Sequence, residues 1–190
     1  MSVLLHDKDF YTNSGGGVTI SGGEPMTQFE FTKEILKACK EHSIHATLDT
    51  CGHVPTERYL EILPYVDLFL YDYKETDSEK HKYYTGVYNN LIMKNLDTLY
   101  RANAKIILRC PIVPGFNDTE GHFEGIRNLQ HKYPNLVGIE IMPYHNIGLD
   151  KARKIGIDSQ FINLKTTDKI ISQQWVGSLK SLGCENVKVG

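Results

Sequence analysis

The residues best suited to chemistry are not scattered but follow short apolar runs. Gly22, Gly23, Glu24 and Pro25 come after the run Val18–Ser21, and Asp49 and Thr50 close the run ATLDT. Asp72 and Lys74 close LFLYDYK, Pro114, Gly115 and Asn117 follow IILRCPIV, and His145 follows VGIEIMPY. Arg109 lies within the fourth of these runs. Five loops carrying such residues together nominate one ligand-binding face. Each group also has a plainer reading. The glycine pair could be a tight turn, and Glu24 or Thr27 could serve a helix start. Asp49 could cap a turn, Asp72 and Lys74 could be a structural ion pair, and His145 a satisfied polar residue. Arg109 could be held in a buried ion pair.

These residues need elements that bring them together. The apolar runs alternate with segments of helical period, a pattern that predicts a parallel sheet in an α/β fold. The runs are nearly continuous in apolar residues, as expected of strands covered on both faces. Phe31, Ile35 and Cys39 predict one buried helical stripe, and Ile171, Trp175, Leu179 and Leu182 another. Asn186–Val189 could add a final strand, and the longest irregular piece spans Asn146–Ser159. In a parallel α/β structure the polar clusters converge at the carboxyl ends of the strands, where ligands bind. An open doubly wound sheet and a partial barrel both fit this alternation.

The 190 residues predict one domain spanning 1–190, and no stretch reads as a linker. Lys and Arg number 21 against 23 Asp and Glu, with no basic face, which argues against nucleic acid as a partner. The first ten residues carry His6, Asp7, Lys8 and Asp9 after a brief apolar run, so neither a signal peptide nor a membrane span is expected and a cytoplasmic protein is. Cys39, Cys51, Cys110 and Cys184 lie too far apart in sequence to share a metal as local ligands, and Cys51 reads as packing.

The run DFYTNSGGGVTISGGEPMTQ, followed in order by LDTCG, DYK, RCPIVPGFND and MPYHNIGLDK, resembles the pyruvate formate-lyase activating enzyme family of radical S-adenosylmethionine (SAM) proteins over nearly the whole chain. The resemblance implies a partial (β/α) barrel, open on one side for a protein substrate. It assigns Gly22, Gly23, Glu24 and Pro25 to the amino end of SAM, and Asp49 and Thr50 to its methionyl and ribose portion. Asp72 and Lys74 fall around the methionyl group, Arg109 on a strand near the ligand, His145 beside ribose and adenine, and Asn117 in a loop bordering the same mouth. By the same resemblance, the full-length parent reduces SAM through a [4Fe-4S] cluster, drawing electrons from flavodoxin or ferredoxin. The resulting 5′-deoxyadenosyl radical removes hydrogen from a backbone glycine of a partner, pyruvate formate-lyase or a relative.

One departure bears on mechanism. The family holds its cluster on a CxxxCxxC loop after the first strand, and this sequence contains none. The expectation is a C-terminal portion lacking the first βα unit, catalytically silent alone, with Val18–Ser21 as an edge strand that self-associates or is covered by Ser2–Asp9. A smaller departure is Lys151-Ala152-Arg153, where the family carries an aromatic after the Lys. Two other readings remain open from the residues: a naturally truncated SAM- or partner-binding module without redox chemistry, and a metal-independent barrel lyase with Lys74 as a Schiff-base former beside Asp72.

Overall fold

The computed structural model describes residues 2–146 and 164–190. The loop expected after Asn146, and with it Lys151-Ala152-Arg153, lies outside the described residues. The apolar runs form strands β1 (Gly17–Ile20), β2 (His45–Thr50), β3 (Leu68–Asp72), β4 (Ile106–Ile112), β5 (Gly138–Pro143) and β6 (Val187–Val189). All pairings are parallel, and the sheet order is the sequence order, β1-β2-β3-β4-β5-β6. A doubly wound sheet reverses direction at a switch point, whereas each connection here advances one strand the same way. That is the winding of a partial barrel.

Helices α1 (Ser2–His6) and α2 (Lys8–Ser14) precede the sheet, and α3 (Phe29–Glu41), α4 (Thr56–Ile62), α5 (Ser78–Thr85) and α6 (Asn90–Arg101) follow its first three strands. Next come α7 (Glu120–Lys132) and α8 (Lys169–Ser181). Their starts are specified locally: the Asp77, Thr119 and Asp168 side chains accept from the first free N–H groups of α5, α7 and α8. None of the described helices is long and apolar enough to cross a membrane.

The buried helical stripes differ from the sequence expectation. In α3 the buried residues are Phe29, Thr32, Leu36 and Cys39, while Phe31 is 64% exposed. Both stripes have helical period and meet at Cys39, so periodicity alone does not choose between them. The 3-10 turn Pro25–Gln28 sets the entry, and Phe29 lies under the Arg58 guanidinium at 5.1 Å. In α8 Trp175 and Leu179 are buried with Ser172 and Val176, leaving Ile171 and Leu182 at the exposed margin.

The strands are not covered equally on both faces, as their apolar runs suggest. In β4 Ile106, Leu108, Cys110 and Ile112 are buried, while Ile107, Arg109 and Pro111 between them are only partly so. Asp72 pairs with Arg109 and Arg109 with Glu140, so these partly exposed positions share one face across three strands. The apolar face is sealed by helices and the polar face is concave and open. Residues Ser2–Asp9 form α1 and the start of α2 and do not pair with β1, although Leu4 and Tyr11 pack on the core. Among the described residues, β1 has β2 as its only strand partner.

Candidate functional site

The carboxyl ends of β1 to β5 surround a cavity of about 260 Å³ on the concave face. Of the residues singled out in the sequence, Gly22, Gly23, Asp49, Thr50, Asp72, Lys74 and Arg109 line it. Ser21, Cys51, Pro111 and Met142 complete the wall.

The turn after β1 forms one side. Gly22 has φ +127°, a conformation that L side chains rarely adopt, and a Cβ built on Gly22 or Gly23 would meet nothing within 4 Å. The chain's own packing therefore leaves the space over this turn free for a ligand. Glu24 holds the turn in place: its Oε1 accepts from Met26 N (3.0 Å) and Thr50 Oγ1 (2.9 Å), and its Oε2 from Cys51 N (2.7 Å). The helix-start role considered for Glu24 is thus real, and the same carboxylate also ties β1 to β2. Pro25 is buried and opens the 3-10 turn, away from the cavity wall. After β2, Gly52 has φ +78°, and a Cβ there would collide with the Tyr71 phenol.

The floor is a charged set. Asp49 Oδ2 accepts from Ser21 Oγ (2.8 Å) and Arg109 Nη1 (3.0 Å). Arg109 also faces Glu140, with Nε 3.9 Å from Oε2, and Nη2 is 3.5 Å from Met142 Sδ. Its Nε is buried without a hydrogen-bond partner. Arg109 thus makes the structural ion pair and lines the cavity as well. Lys74 Nζ lies 3.3 Å from Asp72 Oδ2, with the Lys74 side chain 39% exposed. Burial raises the Asp72 pKa above its ordinary value, opposed by Lys74 and reinforced by Asp49. The Cys51 thiol is pushed up to about 11 by burial and by its contact with Glu24, which keeps it protonated.

Like Glu24 and Pro25, two further expected residues do not line this cavity. Asn117 is buried behind the cavity, where its Nδ2 donates to the Lys74 and Pro111 carbonyls (2.8 Å each) and its Oδ1 accepts from Val113 N (2.7 Å). Its amide is used within the chain. His145 is exposed and does not line the cavity. Sequence reasoning missed Ser21, Pro111 and Met142 and read Cys51 as packing, although it lines the cavity; Met142 carried a usable signal, lying two residues beyond Glu140 on the same strand face.

Cluster ligation does not fit the described residues. Cys39, Cys110 and Cys184 are buried, Cys51 is half-buried, and no group of three or more His, Cys, Asp and Glu is arranged to hold a metal ion. The charged amino-acid end of SAM fits better, because the open glycine turn, a cation and carboxylates face one cavity.

Comparison with known proteins identifies the family. The model of the radical SAM superfamily matches residues 8–129. The choline trimethylamine-lyase activating enzyme of Oleidesulfovibrio alaskensis is 40% identical over 159 residues, covering 82% of this chain and 51% of the relative. The trans-4-hydroxy-L-proline dehydratase activating enzyme of Clostridioides difficile is 41% identical over 151 residues, covering 78% and 50%. The chain thus spans about half the length of the curated relatives it matches. A domain of pyruvate-formate lyase-activating enzyme from Bacteroides vulgatus superposes with TM-score 0.74 at 28% identity, covering 92% of this chain and 99% of that one. Streptococcus suis SuiB bound to SAM shares the fold, with TM-score 0.70 at 16% identity over 99% of this chain and 40% of its own.

Proposed function

Because the chain belongs to the radical SAM superfamily, whose members use SAM and a [4Fe-4S] cluster, we propose that it is the SAM-orienting portion of an activating enzyme for a glycyl-radical enzyme. The open Gly22-Gly23 turn facing Lys74 across the charged floor carries this reading. In it, the backbone of the turn receives the ligand's amino end, and the Lys74 ammonium pairs with its carboxylate. Asp49 and Thr50 orient the methionyl and ribose portion, and Arg109 holds Asp49 in position through the 3.0 Å contact. The Cys51 thiol, pushed up to about 11 by burial, adds a neutral and weakly nucleophilic wall. When bound and reduced, SAM supplies the hydrogen-abstracting chemistry, while the protein orients it.

The partner in this proposal is pyruvate formate-lyase or a related glycyl-radical enzyme. Flavodoxin or ferredoxin is the electron source, and the setting is the cytoplasm. Three cluster thiolates would have to come from outside these 190 residues. On its own, the chain therefore matches the narrower reading of a SAM- or partner-binding module. Membership of the superfamily favours this reading over a metal-independent barrel lyase with Lys74 as Schiff-base former.

Two measurements test the proposal. Anaerobic reconstitution with iron and sulfide should leave the chain without a cluster-type spectrum, whereas stoichiometric iron with that spectrum would contradict it. In calorimetry SAM should bind too weakly to saturate, because the iron that would chelate it is missing. Tight binding abolished by Gly23→Val would show that the protein, and not the cluster, supplies most of the affinity.

A further inference from the structure

The segment leaving β3, Tyr73 to Asp77, has no regular structure, yet its backbone is held by buried side chains from three other parts of the chain. Asn117 Nδ2, from the β4–α7 loop, donates to the Lys74 carbonyl at 2.8 Å. Asn89 Nδ2, at the start of α6, donates to the Glu75 and Thr76 carbonyls at 3.2 Å each. His122, in the first turn of α7, accepts the Thr76 N–H at Nδ1 (3.1 Å) and contacts Thr76 Oγ1 at 2.9 Å. Its ring stacks on Tyr73 with centroids 5.5 Å apart, and the Tyr73 hydroxyl donates to Thr76 Oγ1 at 2.9 Å. Glu75 turns its own Oε1 onto the Thr76 and Asp77 N–H groups. A Cβ on Gly125 of α7 would collide with Thr76, so helix and segment are in close contact.

Asn89, Asn117 and His122 are 7%, 5% and 1% exposed, and three consecutive carbonyls are taken by side-chain amides. The segment is itself largely buried, with Tyr73 5% and Glu75 3% exposed, so these carbonyls must find partners within the chain, and drawing them from two separate connections fixes the backbone in one place. The Lys74 side chain springs from the middle of it. A lysine ammonium on a mobile backbone loses much entropy when it pairs with a ligand, and anchoring the backbone reduces that loss.

We propose that Asn89, Asn117 and His122 are positioning residues that clamp the segment after β3 and thereby aim the Lys74 ammonium into the concave cavity. Asn117, placed by sequence resemblance at the ligand mouth, acts on the ligand through Lys74 and does not touch it. The ligand side of this inference rests on the SAM reading of the cavity, but the clamp itself does not.

Two arms keep those claims separate. The first uses limiting acetic anhydride and mass spectrometry on the ligand-free chain, with Lys132 as an exposed reference. Asn117→Ala and, independently, Asn89→Ala should each raise the relative acetylation of Lys74 by about threefold, while Cys39 and Cys110 stay inert to iodoacetamide, showing that the core is intact. Unchanged Lys74 reactivity in both variants, or a rise matched by core thiol exposure, would overturn the clamp. The second arm follows SAM binding by amide chemical shifts, which register weak affinities. Asn117→Ala should weaken binding about fivefold in the parent chain and have no further effect in a Lys74→Met background. Equal losses in both backgrounds would overturn the positioning role. No SAM shifts in the parent chain would refute the functional reading and leave the first arm to decide the clamp.

Discussion

The two faces of the sheet are built from alternate residues of the same strands and meet opposite demands. On the outer face Leu108, Cys110, Ile139 and Ile141 are fully buried beneath the helices. On the concave face Asp49, Asp72, Arg109 and Glu140 form a charged row open to solvent. One residue of register separates Arg109 from Leu108, so a slip would exchange core for cavity. The outer face stabilises the fold, and this allows the inner face to hold like charges such as Asp49 and Asp72 close together, at a cost that its open cavity does not repay in packing.

Substitutions can break that contrast. The largest stability loss is expected for Leu108→Ala on the outer face, about 2–5 kcal/mol by urea unfolding, with its inner-face neighbour Ile107→Ala costing clearly less. Equal losses would mean that the inner face is packed as tightly as the outer. A pH effect comes next. Burial, with a smaller contribution from Lys80, lowers the His122 pKa from 6.5 to about 4. Between those values the unfolded chain takes up a proton that the folded chain refuses, so this contribution to stability is complete above pH 6.5 and is lost as pH falls toward 4. The slope is about 1.4 kcal/mol per pH unit. His122→Gln should flatten the acid limb between pH 6.5 and pH 4, and an unchanged limb would place the sensitivity elsewhere.

Smaller effects sharpen the comparison. The pair Asp49–Arg109 is roughly one-fifth exposed, and Asp49→Asn, which keeps one acceptor oxygen, should cost about 1.5–3 kcal/mol while abolishing SAM-dependent shifts. A large stability loss with binding intact would reverse the assignment of the two faces. Tyr71, on the sealed face, donates its hydroxyl to the Ile92 carbonyl at 2.7 Å. Tyr71→Phe should cost about 1 kcal/mol in thermal unfolding, with no effect on ligand binding.

Much of this was legible in the sequence. Every strand falls on an apolar run, and seven of the lining residues follow from the rule that ligands meet strand ends. The winding was not legible in the alternation of strands and helices, which is the same in a doubly wound sheet and a partial barrel, and it was the family resemblance that pointed to the partial barrel the structure shows. Nor was the true stripe of α3, since Phe31 and Phe29 both satisfy helical period and the 3-10 turn before the helix selects between them. The clamp was hidden for a different reason: Asn89, Asn117 and His122 lie in separate connections, and only the folded chain brings their side chains to one segment. Glu140 and Met142 could have been recovered by reading β5 as alternating rather than continuously apolar.

The central claim is that the concave face, and specifically the Gly22-Gly23 turn opposite Lys74, receives SAM. Titrating the isotope-labelled chain with SAM and mapping amide shifts onto the sheet tests it most directly. The account predicts fast-exchange shifts concentrated at Gly22, Gly23, Asp49, Thr50 and Lys74, lost in Gly23→Val, with the amides of α3 and α8 unmoved. Shifts confined to the outer helices, or undiminished in Gly23→Val, would contradict it.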